Sequence, residues 1–199
     1  MSKEIDGATP EQSGTWELRG QEHNALKEKT MHRRVLFFGI IGSLAMGLVG
    51  QRIYAQDPSH LLIKGVTDAK VTLQQGLTAA AQQGRPISAK FEVEDGKFQL
   101  SVYTAKDGKF SEVIVAHTTG KVAKTESINE GADLAEAKSQ SAAMEKAKTD
   151  LKTVVDMSVA TTSGSRAINV TPALKDGHPV ASVTILTGLQ FQTVEQLLE

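Results

Sequence analysis

The sequence predicts an α+β fold made of two tandem units, each a helix packed on a small antiparallel sheet of three to four strands, preceded by an export signal. Two period-two runs flank an Asp-Gly pair at Asp95-Gly96, which is the strongest short-range hairpin signal because both turn residues must tolerate positive φ. An apolar helical stripe, a glycine and a set of strands occur in that order twice, with Asp95-Gly96 and Asp176-Gly177 lying 81 positions apart. A cationic, then apolar, then small-residue series occupies residues 31–55.

Residues 1–30 are polar, mixed in charge and without apolar periodicity, the composition of a disordered leader or of sequence upstream of a start at Met31. From Met31 the chain reads MHRR, then 16 uncharged residues VLFFGIIGSLAMGLVG, then QRIYAQDPS. The apolar run is shorter than the roughly 20 residues a spanning helix needs, and Ile53 and Ala55 stand at the −3 and −1 positions of a signal-peptidase site. Residues 31–55 are therefore expected to be a signal peptide cleaved between Ala55 and Gln56. The alternative is an uncleaved anchor oriented by Arg33 and Arg34. Both place residues 56 onward outside the cytoplasm, periplasmic or secreted.

In the exported part, Leu73, Leu77, Ala80 and Ala81 form one stripe along a helix expected over Thr67 to Gln83, with Gly84 ending it and Pro86 beyond. Ile87, Ala89, Phe91 and Val93 alternate with polar residues, and after Asp95-Gly96 so do Phe98, Leu100 and Val102. A second pair, Asp107-Gly108, leads into KFSEVIVAHTTGKV, residues 109–122. The order returns later. Leu151, Val154, Val155 and Val159 repeat the stripe, Gly164 ends it, residues 167–174 are extended, and Asp176-Gly177 turns into HPVASVTILTG and LQFQTVEQLL. Pro172 implies an edge position or a bulge for its strand, since proline cannot donate to a central ladder. Between the units, residues 127–148 are rich in Ala, Glu, Lys and Ser and predict a solvated helix capped by Asn129 or Asp133 and continuous with the next one. The expected organisation is one unit over 66–124, a helical linker over 125–142 and a second unit over 143–199.

Composition narrows the chemistry. The net charge of −1 and the absence of a basic stripe with aromatic platforms exclude a nucleic-acid reading. With no cysteine there is no disulfide, thiolate zinc site or cysteine nucleophile. Beyond residue 55 the aromatics are Phe91, Phe98, Tyr103, Phe110 and Phe191, so the core must be built from Val, Ile, Leu and Ala. No His-Glu-x-x-His, Gly-x-Ser-x-Gly, phosphate-loop or calcium-loop pattern is present. His60, His117 and His178 stand in separate segments without i+2 or i+4 partners. Asp95, Asp107 and Asp176 each precede a glycine and read as turn formers. No catalytic residue, cofactor or metal ligand is expected.

The residues resemble the PepSY domain of peptidase propeptides and exported regulatory proteins. That pattern has an amphipathic helix, a glycine, three strands with Asp-Gly turns and a closing strand with an acidic residue before Thr-Gly. Here the ending is Val113-Ile114-Val115, Ala116-His117-Thr118, Thr119-Gly120-Lys121-Val122. Residues 66–124 match, and 143–199 match more weakly, lacking a Thr-Gly ending. Ala116 replaces the usual Asp, which removes any contact that carboxylate makes.

The resemblance implies a non-catalytic binding or inhibitory module whose partner is an extracytoplasmic protein, a peptidase among the candidates, touching the membrane only through its signal or anchor. The expected partner-binding strand carries Val113, Val115, His117, Thr119 and Gly120, and would offer an exposed sheet edge to an extended segment. The alternative is a periplasmic sensor of a small ligand or metal.

Overall fold

The computed structural model describes residues 58–199. The leader, the signal or anchor over 31–55 and the Ala55–Gln56 cleavage position lie outside the described residues. Within them the α+β class is present: four helices and one antiparallel sheet of seven strands. The first helical pair is α1 (Pro58–Asp68) and α2 (Leu73–Ala80), followed by β1 (Arg85–Glu94), β2 (Lys97–Lys106), β3 (Lys109–Val115) and β4 (Val122–Ile128). A second pair, α3 (Gly131–Lys146) and α4 (Leu151–Ala160), precedes β5 (Arg166–Lys175), β6 (His178–Thr187) and β7 (Gln190–Leu197).

The sheet runs β4-β3-β2-β1-β5-β6-β7. The sheets expected separately for the two halves are thus joined edge to edge, through Ala89 opposite Val170 and Lys90 opposite Asn169. Each hairpin is set by its turn. Asp95, Asp107 and Asp176 have φ of 52°, 51° and 52°, and the glycines after them 73°, 71° and 83°. Positive φ at both central residues matches the right-handed twist of the flanking strands, and Asp-Gly reaches it at little cost.

The expected helix over Thr67 to Gln83 is instead two helices with a break at residues 69–72. The break is built by polar groups. Thr72 starts α2 with its side chain accepting from the Gln75 amide at 3.2 Å while Gln75 Oε1 accepts from the Thr72 amide at 2.8 Å, a reciprocal cap. The amides of Lys70 and Val71 both donate to the His117 carbonyl at 3.0 Å rather than to a preceding turn. Gly84 does not end the helix through positive φ. It keeps an ordinary conformation, and a Cβ there would lie 2.9 Å from the Ala105 carbonyl oxygen, so it serves a close backbone approach.

Residues 127–148 also divide differently from the expectation. Residues 127 and 128 finish β4, α3 begins at Gly131 after Glu130, and residues 147–150 separate it from α4. Neither Asn129 nor Asp133 is the cap; Asp133 sits in the first turn, where its charge complements the helix N-terminus. Nor is this helix solvated all round, since Ala137, Gln140, Ala143 and Met144 are buried. Pro172 lies in an interior strand rather than an edge one. It is tolerated because the β1–β5 ladder stops at Val170, while Pro172 keeps its register with Ala181 on β6.

Helices cover both faces of the sheet. Gly76 of α2 rests on Leu100, where a Cβ would be 2.5 Å from Cδ2. By strand alternation Phe91, Val102, Val113, Val115, Ala89 and Val170 share the Leu100 face. All are buried in one core that also includes Leu77 of α2 and Val155 of α4. Ser88 points the other way, and its Oγ donates to Gln140 Oε1 of α3 at 2.6 Å in a buried setting. α3 therefore packs on the face opposite α2.

Candidate functional site

The residues expected to bind a partner occupy two different environments. Val113 and Val115 are fully buried beneath the helices, and β3 is paired on both sides, by β2 and by β4. The segment 109–122 is therefore not one edge strand: β3 stops at Val115 and the chain turns back into β4. This corrects the expected edge, because a strand whose amides and carbonyls are already paired has no ladder left to offer.

Thr119 and Gly120 form the turn between β3 and β4. The amides of Thr119 and Gly120 donate to the Ala116 carbonyl at 3.1 and 2.8 Å, the Ala116 amide donates to the Lys121 carbonyl at 2.9 Å, and Gly120 has φ of 73°. The turn aims the His117 carbonyl at the α1–α2 break. The His117 ring meets Phe98 edge-on at 5.0 Å, Phe98 stacks on Phe91 at 5.3 Å, and His117 Nδ1 is buried without a hydrogen-bond partner among the described residues. These groups fasten helices to sheet.

His60 is exposed on α1, His117 lies at this junction, and His178 Nδ1 is 2.6 Å from Glu199 Oε1. The histidine draws the Glu199 carboxyl below the usual carboxylate range, through its hydrogen bond first and its charge second. Among the described residues no group of three or more His, Asp or Glu is arranged to hold a metal.

A polar network that the sequence did not single out lies on the face covered by α3. Lys90 Nζ is 2.6 Å from Glu92 Oε2 and 5.5 Å from the Tyr103 ring centroid. Ser101 Oγ donates to Glu92 Oε1 at 2.6 Å, and Gln99 Nε2 donates to Glu94 Oε2 at 2.9 Å. Burial pushes the Tyr103 phenol far above its ordinary value, with the charges of Glu112, Glu92, Asp133 and Glu94 adding to the effect. A phenol held protonated in this way supplies neither a base nor a nucleophile. The network instead pairs buried Ser101 and half-buried Lys90, Glu92 and Gln99 with one another and with Glu94 at its exposed end. Its sequence signal was an alternation of Lys90, Glu92 and Glu94 along β1 and of Gln99, Ser101 and Tyr103 along β2, which resembles a solvent face until α3 lies over part of it.

Among the described residues the sheet's outer strands are β4 and β7, and they differ. The first residue of β4, Val122, is its large exposed apolar side chain, and Lys124 and Glu126 pair along the strand at 2.8 Å. β7 and the turn before it expose Leu189 at 77%, Phe191 at 36% and Leu197 at 66%. Edge strands are ordinarily blunted with charge because unpaired backbone groups beside apolar side chains invite another strand. Among the described residues, β7 is the edge where free backbone groups and exposed apolar side chains coincide. No family model, curated protein or solved structure matches the chain, so the likeness to PepSY domains rests on its own residues.

Proposed function

We propose that the chain is an exported, non-catalytic binding module of two PepSY-like units, which takes an extended segment of an extracytoplasmic protein along the free edge of β7. A peptidase restrained through such a segment fits this reading. The observation that carries it is the β7 edge itself, a ladder unpaired among the described residues and flanked by Leu189, Phe191 and Leu197.

The duplication is supported by correspondences at two fixed separations. At 81 positions, β7 stands on β6 in the register of β3 on β2: Val102↔Val113 matches Val183↔Val194, and Ala105↔Phe110 matches Leu186↔Phe191. Register shifts fall at Ile87 and at Ile168, also 81 apart. The helix caps Thr72 and Asp150 are 78 apart, because α4 and the loop after it are longer. In the second half the amides of Lys148 and Thr149 donate to the Leu198 carbonyl, as Lys70 and Val71 do to His117.

Compartment and edge are tested together. Export predicts an N-terminus at Gln56 on protein recovered outside the cytoplasm, or an intact terminus on protein anchored facing outward. Protein retained in the cytoplasm would sink this part. A photo-crosslinking residue at position 191 should capture one defined extracytoplasmic protein, whereas the same residue at exposed Met157 on α4 should not. Equal capture at both positions removes β7 as the site.

A further inference from the structure

The molecule already contains a strand lying on the edge that corresponds to β7's. β4 pairs with the outer edge of β3, placing Ile128 opposite Phe110, Glu126 opposite Glu112 and Lys124 opposite Ile114. Eighty-one positions on, these β3 residues correspond to Phe191, Thr193 and Glu195. The two strands also share their inner register, so their outer edges present the same alternation of backbone groups.

What differs is coverage. Phe110, with Ile128 beside it, is 8% exposed, whereas Phe191 is 36% exposed. By strand alternation Phe191, Glu195 and Leu197 lie on the same face. Glu195 is exposed and pairs with Lys175 Nζ at 2.9 Å, leaving its carboxylate within reach of a second cation. Lys124 stands in the corresponding place on β4, four residues before Ile128.

We propose that the β7 edge selects a segment that runs antiparallel to it, with a branched aliphatic side chain opposite Phe191 and a Lys or Arg four residues earlier opposite Glu195. This rests on the reading of β7 as the binding edge and adds direction, register and side-chain chemistry. Backbone pairing holds the segment extended, the aliphatic side chain completes the cover over Phe191, and the cation fixes the register. The face bearing Phe191 and Glu195 rejects an acidic residue opposite Glu195, because like charges directly across a ladder repel.

The probe is a labelled peptide with this chain's own β4 sequence, residues 121–128, KVAKTESI, titrated against the full-length protein by fluorescence anisotropy, with amide exchange of β7 as the site readout. Binding should protect alternate amides of β7. Phe191→Ala should weaken it about tenfold, as should Ile→Ser in the peptide, from the loss of apolar burial. Replacing the peptide's second lysine with Glu should weaken binding, and Glu195→Lys in the protein should restore it.

Circular dichroism on Phe191→Ala and Glu195→Lys separates lost binding from lost folding, and both positions are exposed enough to keep the fold. If the scrambled peptide protects β7 equally well, the side-chain rule falls while the edge reading stands. If no extended peptide protects β7, both fall. A concentration-dependent dimer by light scattering that Phe191→Lys abolishes would overturn the proposal in favour of a second copy on the same edge.

Discussion

Ala89 of β1 lies directly opposite Val170 of β5, and both side chains are buried in the core on the face that α2 covers. The 81 positions between them also separate the turns at Asp95 and Asp176 and the register shifts at Ile87 and Ile168. In the proposed duplication this pair coincides with the repeat separation, which would set a local two-fold axis between the central strands. Only two register pairs join β1 to β5, so buried side chains, more than backbone bonds, unite the halves.

That arrangement predicts one cooperative unfolding unit. Val170→Ala removes apolar volume at a fully buried position and should cost about 1–3 kcal/mol. Native-state hydrogen exchange should show β2 and β6 losing protection together. A β2 unaffected by the substitution would mean that the halves unfold separately.

Gly76 offers a test of packing against propensity. An alanine in a helix interior ordinarily gains about 1 kcal/mol over glycine. Here its Cβ would meet Leu100 Cδ2 at 2.5 Å. Gly76→Ala should therefore destabilise the protein, and Leu100→Val should be less harmful in that background than in the parent. A double-mutant cycle in urea reads the coupling.

Arg166, at the start of β5, donates from Nη1 to the Ala69 carbonyl and from Nη2 to the Val71 carbonyl, at 3.0 Å each. It links the second half's first strand to the break between α1 and α2. Partial burial lowers its pKa, yet guanidinium stays charged across the accessible range. Arg166→Ala should cost about 1–2 kcal/mol, at the low end for hydrogen bonds from charged donors because the group is partly exposed. Arg166→Lys should recover only part, since a single ammonium cannot reproduce the fork. Urea midpoints at neutral pH would measure both.

Tyr103 sets an alkaline limit. Its phenol binds its proton more tightly in the folded chain than the ordinary value of about 10. Its contribution to stability is complete below that value and is lost as pH rises from there toward the folded pKa, because only the unfolded chain ionises readily. Tyr103→Phe should extend stability on the alkaline side. Absorbance at 295 nm should show one late-titrating tyrosine that this substitution removes. A phenol titrating at the ordinary value would refute the assignment.

Local chemistry made much of the fold legible. Each Asp-Gly sits between two alternating apolar runs, and positive φ, which suits few other residue pairs, converts that pattern directly into a hairpin. The buried stripes Leu73-Leu77 and Leu151-Val155 were likewise written in a period of 3.6. Helix limits were less legible: the break before α2 depends on the His117 carbonyl, more than 40 residues away, accepting two amides. The candidate site was the least legible part. Val113 and Val115 have the same pattern whether β3 is an edge or an interior strand, because alternation reports which face is buried and carries no information about neighbours along the ladder.

The sequence by itself determined the α+β class, the positions of the hairpins and the return of an Asp-Gly turn between apolar runs after 81 positions, since each follows from torsional preference or periodicity within a few residues. Only the tertiary structure decided that the strands form one sheet, that α3 covers its second face, and that β4 seals β3 while β7 is the outer strand at the other end among the described residues. Those outcomes turn on which strands meet across long separations, a competition among backbone ladders that is settled by burial of the shared core.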